Sequence, residues 1–325
     1  MNSVQRAKLV YVCIILILVL AILYSGLRIL ESTIFSRYQN QLQTTSKVLI
    51  RNGIRYYPRK DITVVLFMGI NQSGVAQPTK HNAGGAADMV ALLVFDEKTE
   101  SCTVLSLNRD LMVDMPALNE LGKEVGLYYG QLALSHTYGD GMEVSCENVR
   151  KTVSNLFYGL EIDYYVSMNI DAIALLNDAV GGVTVNIVDD FSAVDPELSA
   201  GKFTLKGKQA VTFVQTRWNV GDELNLSRME RQKEYMRGFL PMLKQQLSEK
   251  NDFAMVTYSE VADYIVTDCS ASIISRLASD YGEYSVDRYL TLNGKNVLGE
   301  QYYEFYADER ELDAMIIELF YAPKQ

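Results

Sequence analysis

The sequence predicts an α/β domain, a β-sheet covered by helices on both faces, carried behind one N-terminal transmembrane helix. Three observations predict it. The run from Leu9 to Leu27 is uncharged, dominated by Leu, Ile and Val, and about as long as a bilayer's hydrocarbon core. Further along, short apolar runs of strand length alternate with Gly-, Asn- and Asp-rich turns, as buried strands require. Through the middle of the chain, strand patterns alternate with helical ones, and such alternation packs as a sheet between helical layers.

Taken in order, residues 1–8 read as a cytoplasmic tail and residues 9–27 as an uncleaved anchor. The apolar run exceeds a signal-peptide core, and the exit at Tyr24-Ser25-Gly26 lacks an Ala-x-Ala site. Arg6 and Lys8 before the helix are nearly balanced by Arg28 and Arg37 after it, so the positive-inside rule leans only slightly toward an inside tail. Residues 28–60, polar and mixed in charge, read as a juxtamembrane stalk. The domain proper spans 61–325.

Within it, Ile62 to Ile70, Met89 to Phe95 and Thr103 to Leu107 are strand-like. Val144 to Phe157 has helical spacing, and Tyr164 to Ile170 is another strand. Asp171 is placed to cap a helix that runs to Val180 and stops at Gly181-Gly182. Val183 to Val188 resumes strand composition, and a helix follows from Lys208 to Arg217. After a loop, a long amphipathic helix runs from Leu226 to Ser248, with Asn225 or Ser227 as its cap and Pro241 as a kink. The remainder, to Tyr321, carries strand and helix patterns without a linker, a repeat or a second domain boundary.

Composition narrows the function. A chain of 325 residues that is 48% hydrophobic has ample apolar material for a core. Its net charge of -10 argues against nucleic acid as a partner, because affinity for phosphate backbones accumulates from Lys and Arg. Outside the apolar run lie Cys102, Cys146 and Cys269, with no CxxC spacing. Either one disulfide with a spare thiol or three buried thiols is compatible with that count. His81 and His136 are the only histidines and lack ligand-like spacing, which excludes a histidine-rich metal site.

Several polar residues sit at element ends. Asp88 opens a strand after a Gly-Ala loop; Arg109 and Asp110 lie just past another strand's C-terminal end, where open α/β sheets place ligands. Arg217 ends a helix. Arg228, Arg231 and Gln232 share one face at the next helix's start. Guanidinium forks converging on a helix N-terminus suit phosphate or pyrophosphate. The competing reading is ordinary: Arg228 and Arg231 paired with Glu223, Glu230 or Glu234 on a wet surface, and Asp88 as a turn residue.

From Ile62 to Tyr321 the chain resembles the LytR-CpsA-Psr family. The resemblance rests on Ala87-Asp88-Met89-Val90-Ala91-Leu92-Leu93-Val94, on Leu105-Ser106-Leu107-Asn108-Arg109-Asp110, and on Asp163-Tyr164-Tyr165-Val166 followed by Val180-Gly181-Gly182-Val183. Gly207-Lys208-Gln209-Ala210 through Arg217, then Arg228-Met229-Glu230-Arg231-Gln232, completes the register.

That resemblance implies an α/β/α sandwich with a central mixed β-sheet, an apolar pocket for a polyprenyl tail and an arginine-rich mouth for its pyrophosphate. It implies an extracytoplasmic domain on a single-pass membrane anchor. The implied activity is Mg²⁺-assisted transfer of a phospho-glycan, a wall polymer or capsule, from polyprenyl pyrophosphate to peptidoglycan. Asp88 would ligate the metal, and Arg109, Arg217 and Arg228 would hold phosphate oxygens, with Arg231 and Gln232 beside them. Asp110 could orient Arg109 or act as a base; the orienting role is expected, since an acid beside an arginine keeps a low pKa. The sequence departs from the family pattern at Asn71, where a metal-binding Asp is usual, at Gln215, where a second Arg is usual, and at Asn225, where an Asp is common. Asp222 is a candidate to replace the lost carboxylate. These departures leave a carrier-binding regulator or assembly protein, or a pyrophosphatase, as alternatives to the transferase.

Overall fold

The stretch ITVVLFMGI presents apolar or small side chains on both faces of one strand, so both faces must be covered. In the computed structural model, which describes residues 48–323, it becomes an inner strand of a six-stranded sheet. The strands are β1 (Ile62–Ile70), β2 (Ala87–Asp96), β3 (Ser101–Leu107), β4 (Tyr164–Asn169), β5 (Ile265–Thr267) and β6 (Ser285–Thr291), in the order β5-β4-β1-β2-β3-β6. The sheet is mixed, since β1 pairs antiparallel with β2 but parallel with β4, and β3 antiparallel with β2 but parallel with β6.

Each face has its own helix. Met68 and Ser167 are register partners on one face, and the Ser167 side chain hydrogen-bonds the Cys146 thiol of α1 (Glu143–Leu156). Phe67, Met89 and Met168 lie on the other face, against α3 (Asn225–Glu249). Between them in sequence comes α2 (Lys208–Gln215). The expected α/β/α layering is therefore present. Cys102, Cys146 and Cys269 are all free and buried, and burial pushes the Cys102 and Cys146 thiols up to about 12.

Three local expectations are corrected. Asp171 stands before its helix, but its carboxylate accepts from the Gly74 backbone N–H at 2.7 Å instead of capping. Neither Asn225 nor Ser227 caps α3: Leu224 occupies the cap position, and Asn225, already helical, turns its amide to Arg228 and Asn108. The stretch Ile54–Pro58, read as stalk, is a strand paired antiparallel with Tyr321–Pro323. The chain also adds two hairpins that no periodicity announced, Met112–Leu118 with Glu124–Gln131 and Gly294–Leu298 with Tyr303–Ala307. Residues from Ile50 onward pack as one unit. No helix among the described residues is long and apolar enough to cross a membrane, and Leu9 to Leu27 lies outside them.

Candidate functional site

Along a regular strand, Asp88 would share the inward face of Val90 and Leu92. It does not, because the β1–β2 register slips there: Gly69 pairs with Met89 and Ile70 with Ala87, so Asp88 is an extra residue without a partner across the ladder. A bulge of this kind re-aims a side chain. Asp88 joins Met89 in lining a cavity between the sheet and α3. The same sheet edge holds the end of β3, where Asn108 closes a tight turn by accepting from the Asp110 N–H at 3.0 Å. That turn projects Arg109 toward Asp88. From the opposite side comes the first turn of α3, with Arg228.

One Asp88 oxygen lies 2.8 Å from Arg109 Nη1, and the other 3.1 Å from Arg228 Nη1. Arg228 also donates to Asn225 Oδ1 at 2.6 Å, and Asn225 donates to Asn108 Oδ1 at 2.7 Å. A cation at a helix N-terminus opposes the helix dipole, and Arg228 is only 3% exposed. Burial pulls its guanidinium below the ordinary range, and Asp88 opposes the shift. Arg109 Nε, Arg228 Nε and Asn108 Nδ2 are buried without a hydrogen-bond partner. Buried donors left open are exceptions that a bound acceptor can satisfy. An oxyanion supplies several at once.

Behind this polar cluster the cavity, about 70 Å³, is apolar, with Phe67, Met89, Met168, Ile173 and Met236 in its walls. The same face of β2 and the next turns of α3 line a second, larger cavity of about 770 Å³, bounded by Leu93, Phe95, Leu240 and Leu247. The two cavities follow each other along one strand and one helix.

The LytR_cpsA_psr family model matches residues 30–320. The chain belongs to the LytR_cpsA_psr family. Among its relatives, the polyisoprenyl-teichoic acid–peptidoglycan teichoic acid transferase TagU of Enterococcus faecalis is 28% identical over 61% of this chain and 59% of its own length. Biofilm regulatory protein A of Streptococcus mutans is also 28% identical, over 52% of this chain and 41% of its own. A crystal structure of a Streptococcus agalactiae protein superposes with a TM-score of 0.66 at 22% identity, over 80% of this chain and 86% of that one, which confirms the fold. The chain spans about half to two thirds of the length of the curated relatives it matches.

Against the residues that the LytR_cpsA_psr resemblance singled out, the structure brings Asp88, Arg109 and Arg228 into contact and places Gln215, Gln232 and Asn71 around the same cavity. Gln232 donates to the Val214 carbonyl at 3.2 Å. Arg217 stands beside the cluster, its Nε given to the Glu223 carbonyl at 2.7 Å. Arg231 is elsewhere in function: it is 5% exposed, ion-paired with Asp189 at 2.6 Å, hydrogen-bonded to the Phe213 and Thr216 carbonyls, and stacked on Phe191. It ties α3 to the end of α2 and to the loop that carries Asp189. The surface pairing with Glu223, Glu230 or Glu234 is not formed by Arg228 or Arg231; both go to buried-side aspartates instead.

Asp110 is corrected as well. Burial raises its carboxyl above the ordinary range, against the lowering pull of Arg109, Arg217 and Arg228. Its Oδ1 accepts from Gln131 at 3.0 Å and lies 3.6 Å from Arg109 Nε. Asp222 does not replace a lost carboxylate in the cavity; it accepts from the Leu224 N–H at 2.9 Å and from the Ser227 hydroxyl. The two departures at Asn71 and Gln215 meet directly, Gln215 Nε2 donating to Asn71 Oδ1 at 3.1 Å. Sequence reasoning missed Asn108, whose only signal was adjacency to Arg109, and Gln131, which lies in a hairpin the sequence did not announce.

No three His, Cys, Asp or Glu side chains converge on a metal site among the described residues. The donor set nevertheless suits Mg²⁺ that brings its own phosphate ligands. Asp88 Oδ1, although close to Arg109, has no aligned hydrogen bond, and the Asn71 amide lines the same cavity.

Proposed function

We propose that this chain transfers a phospho-glycan from a polyprenyl-pyrophosphate carrier to peptidoglycan. The observation that carries the reading is the convergence of Arg109 and Arg228 on Asp88 beside an apolar cavity, with the Nε groups of both arginines buried and not hydrogen-bonded. A prenyl tail buries its surface between sheet and α3, which holds the diphosphate at that mouth. Arg109 and Arg228 supply forks to its oxygens, and Arg217 adds positive potential beside them. The TagU relative, named for the transfer of teichoic acid from polyisoprenyl carrier to peptidoglycan, supports the same reaction class.

Phosphoryl transfer asks the protein mainly for position and charge neutralisation. An acceptor hydroxyl oxygen bonds to the glycan-bearing phosphorus as the bond from that phosphorus to the bridging oxygen breaks. The pair of electrons and the hydroxyl proton end on polyprenyl phosphate. Arg228, fixed by Asp88 and Asn225, is preorganised for the charge that grows on the bridge. Mg²⁺, held by Asp88 with the Asn71 oxygen beside it, would neutralise diphosphate charge. The long Leu9 to Leu27 run would anchor the domain outside the membrane that supplies the carrier.

The test is transfer of a labelled lipid-linked glycan to peptidoglycan fragments by wild type and Arg228→Ala. A covalent product with wild type and its loss in the variant are expected. Carrier-lipid binding without any product would instead favour a binding protein, the second reading, which the neutral Asn71–Gln215 contact and the likeness to biofilm regulatory protein A support.

A further inference from the structure

Arg109 and Arg228 come from different elements, a turn after β3 and the first turn of α3, yet they meet on one carboxylate. Their Nη1 atoms lie 2.8 and 3.1 Å from the two Asp88 oxygens. A pair of buried amides joins those elements. Asn108 and Asn225 are 2% and 5% exposed, and Asn225 Nδ2 donates to Asn108 Oδ1 at 2.7 Å.

The orientation of both amides is dictated from one end, because a guanidinium can only donate. Arg228 Nη2 holds Asn225 Oδ1 toward itself at 2.6 Å, which turns Asn225 Nδ2 to Asn108. Asn108 must answer with its oxygen, and the same Oδ1 accepts the Asp110 N–H at 3.0 Å, closing the turn that projects Arg109. Reversing either amide would set donor against donor or oxygen against oxygen, and a buried group left unbonded costs its full desolvation. The placement of one arginine is thereby transmitted to the backbone that carries the other. The departure at Asn225 acquires a purpose here. An ionised Asp would accept from Arg228 equally well but has no proton for Asn108, so two oxygens would face each other across that gap.

Both arginines keep Nε buried and not hydrogen-bonded. Two forks with open donors, held on either side of one carboxylate, match a ligand that brings one phosphate to each. A monophosphate satisfies one fork and leaves the other unanswered.

We propose that the Asn108–Asn225 bridge fixes the relative placement of the Arg109 and Arg228 forks and so makes the site choose a prenyl diphosphate over the corresponding monophosphate. The two asparagines are positioning residues that act through the arginines. That a prenyl diphosphate is the ligand rests on the transfer reading, in which the donor is a diphosphate and the released carrier a monophosphate.

Titration calorimetry of the full chain in detergent, with farnesyl pyrophosphate and farnesyl phosphate in separate runs at fixed Mg²⁺, measures the two Kd values. Wild type is expected to prefer the diphosphate by at least about tenfold, the factor that one further charge-assisted contact yields. Asn225→Ala and Asn108→Ala should each bring that ratio to about twofold or less, and the double variant should fall no further, since one bridge is cut in all three. The monophosphate Kd should change by no more than about twofold, because a single fork still holds it. Melting curves check that each variant is folded, and Asn225→Ser, too short to reach Asn108, stands in for one that is not. Equal weakening of both lipids would mean a merely structural role and overturns the proposal, as do an unchanged ratio and single effects that multiply in the double variant. A wild type that binds neither lipid, or does not distinguish them, removes the diphosphate site together with the bridge's role. A ratio that collapses when the bridge is cut, in a protein that forms no transfer product, upholds the bridge and removes only the transferase reading.

Discussion

Changing Asn71 to Asp and Gln215 to Arg converts a neutral contact in the cavity mouth into an ion pair, and its worth can be worked from the geometry. At the present 3.1 Å separation, two unit charges attract by about 1.3 kcal/mol in water and about 5 kcal/mol at an effective dielectric of about 20. Asn71 is exposed, so the lower figure governs, and ordering two side chains reduces it further to about 1 kcal/mol or less. Asn71→Asp alone adds a carboxylate beside Asp88 and should lower the Mg²⁺ concentration at half-maximal transfer. Gln215→Arg alone should tighten diphosphate binding. The double variant should exceed the product of the two single effects by up to about fivefold, the factor that about 1 kcal/mol of coupling yields. The assay is transfer of a lipid-linked glycan by all four proteins titrated with Mg²⁺. Strictly multiplicative single effects would refute the direct coupling, and a robust wild type that neither change improves would remove both residues from the metal-diphosphate centre.

Three further outcomes follow from neighbouring contacts. Arg228→Ala should destabilise by about 2–4 kcal/mol, because a nearly buried partner of Asp88 and Asn225 is lost, while the more exposed Arg109→Ala should cost about 1 kcal/mol or less; both should abolish transfer, as melting curves beside the assay would show. His136 is 1% exposed, its Nδ1 bonded to the Gly85 carbonyl and its Nε2 without a partner, and burial lowers its pKa. A lowered histidine pKa means that the unfolded chain binds the extra proton first, so stability should fall as pH drops below about 6.5, by at most about 1.4 kcal/mol per pH unit, and His136→Gln should flatten that slope in pH-dependent denaturation. Gly85→Ala would set a Cβ 2.7 Å from Ile70 Cγ2 and 3.1 Å from the Asn71 carbonyl, so a loss of about 1–3 kcal/mol and weaker transfer are expected, measured by thermal unfolding and the same assay.

The sequence by itself determined those features that depend on neighbours in the chain. Strand composition located β1, β2 and β4, helical spacing located α1 and α3 to within a residue or two, and Gly181-Gly182, both at positive φ, ended a helix as read. Asp88, Arg109 and Arg228 were legible as a group because each stands at an element boundary and all three fall in motifs of one family. Tertiary structure alone decided how charges were shared out. Arg228 and Arg231, three residues apart on one helix face, diverge to Asp88 and Asp189, which lie 140 and 42 residues away in the chain. Spacing gives a side chain's direction but not the acceptor that waits there. The bulge that turns Asp88 into the cavity is set by a register between two strands joined by a loop, which no period within either strand reports. Asp110 shows the same limit: the sequence puts Arg109 beside it, which favours the ionised form, but burial is a property of the packed fold and outweighs the arginine.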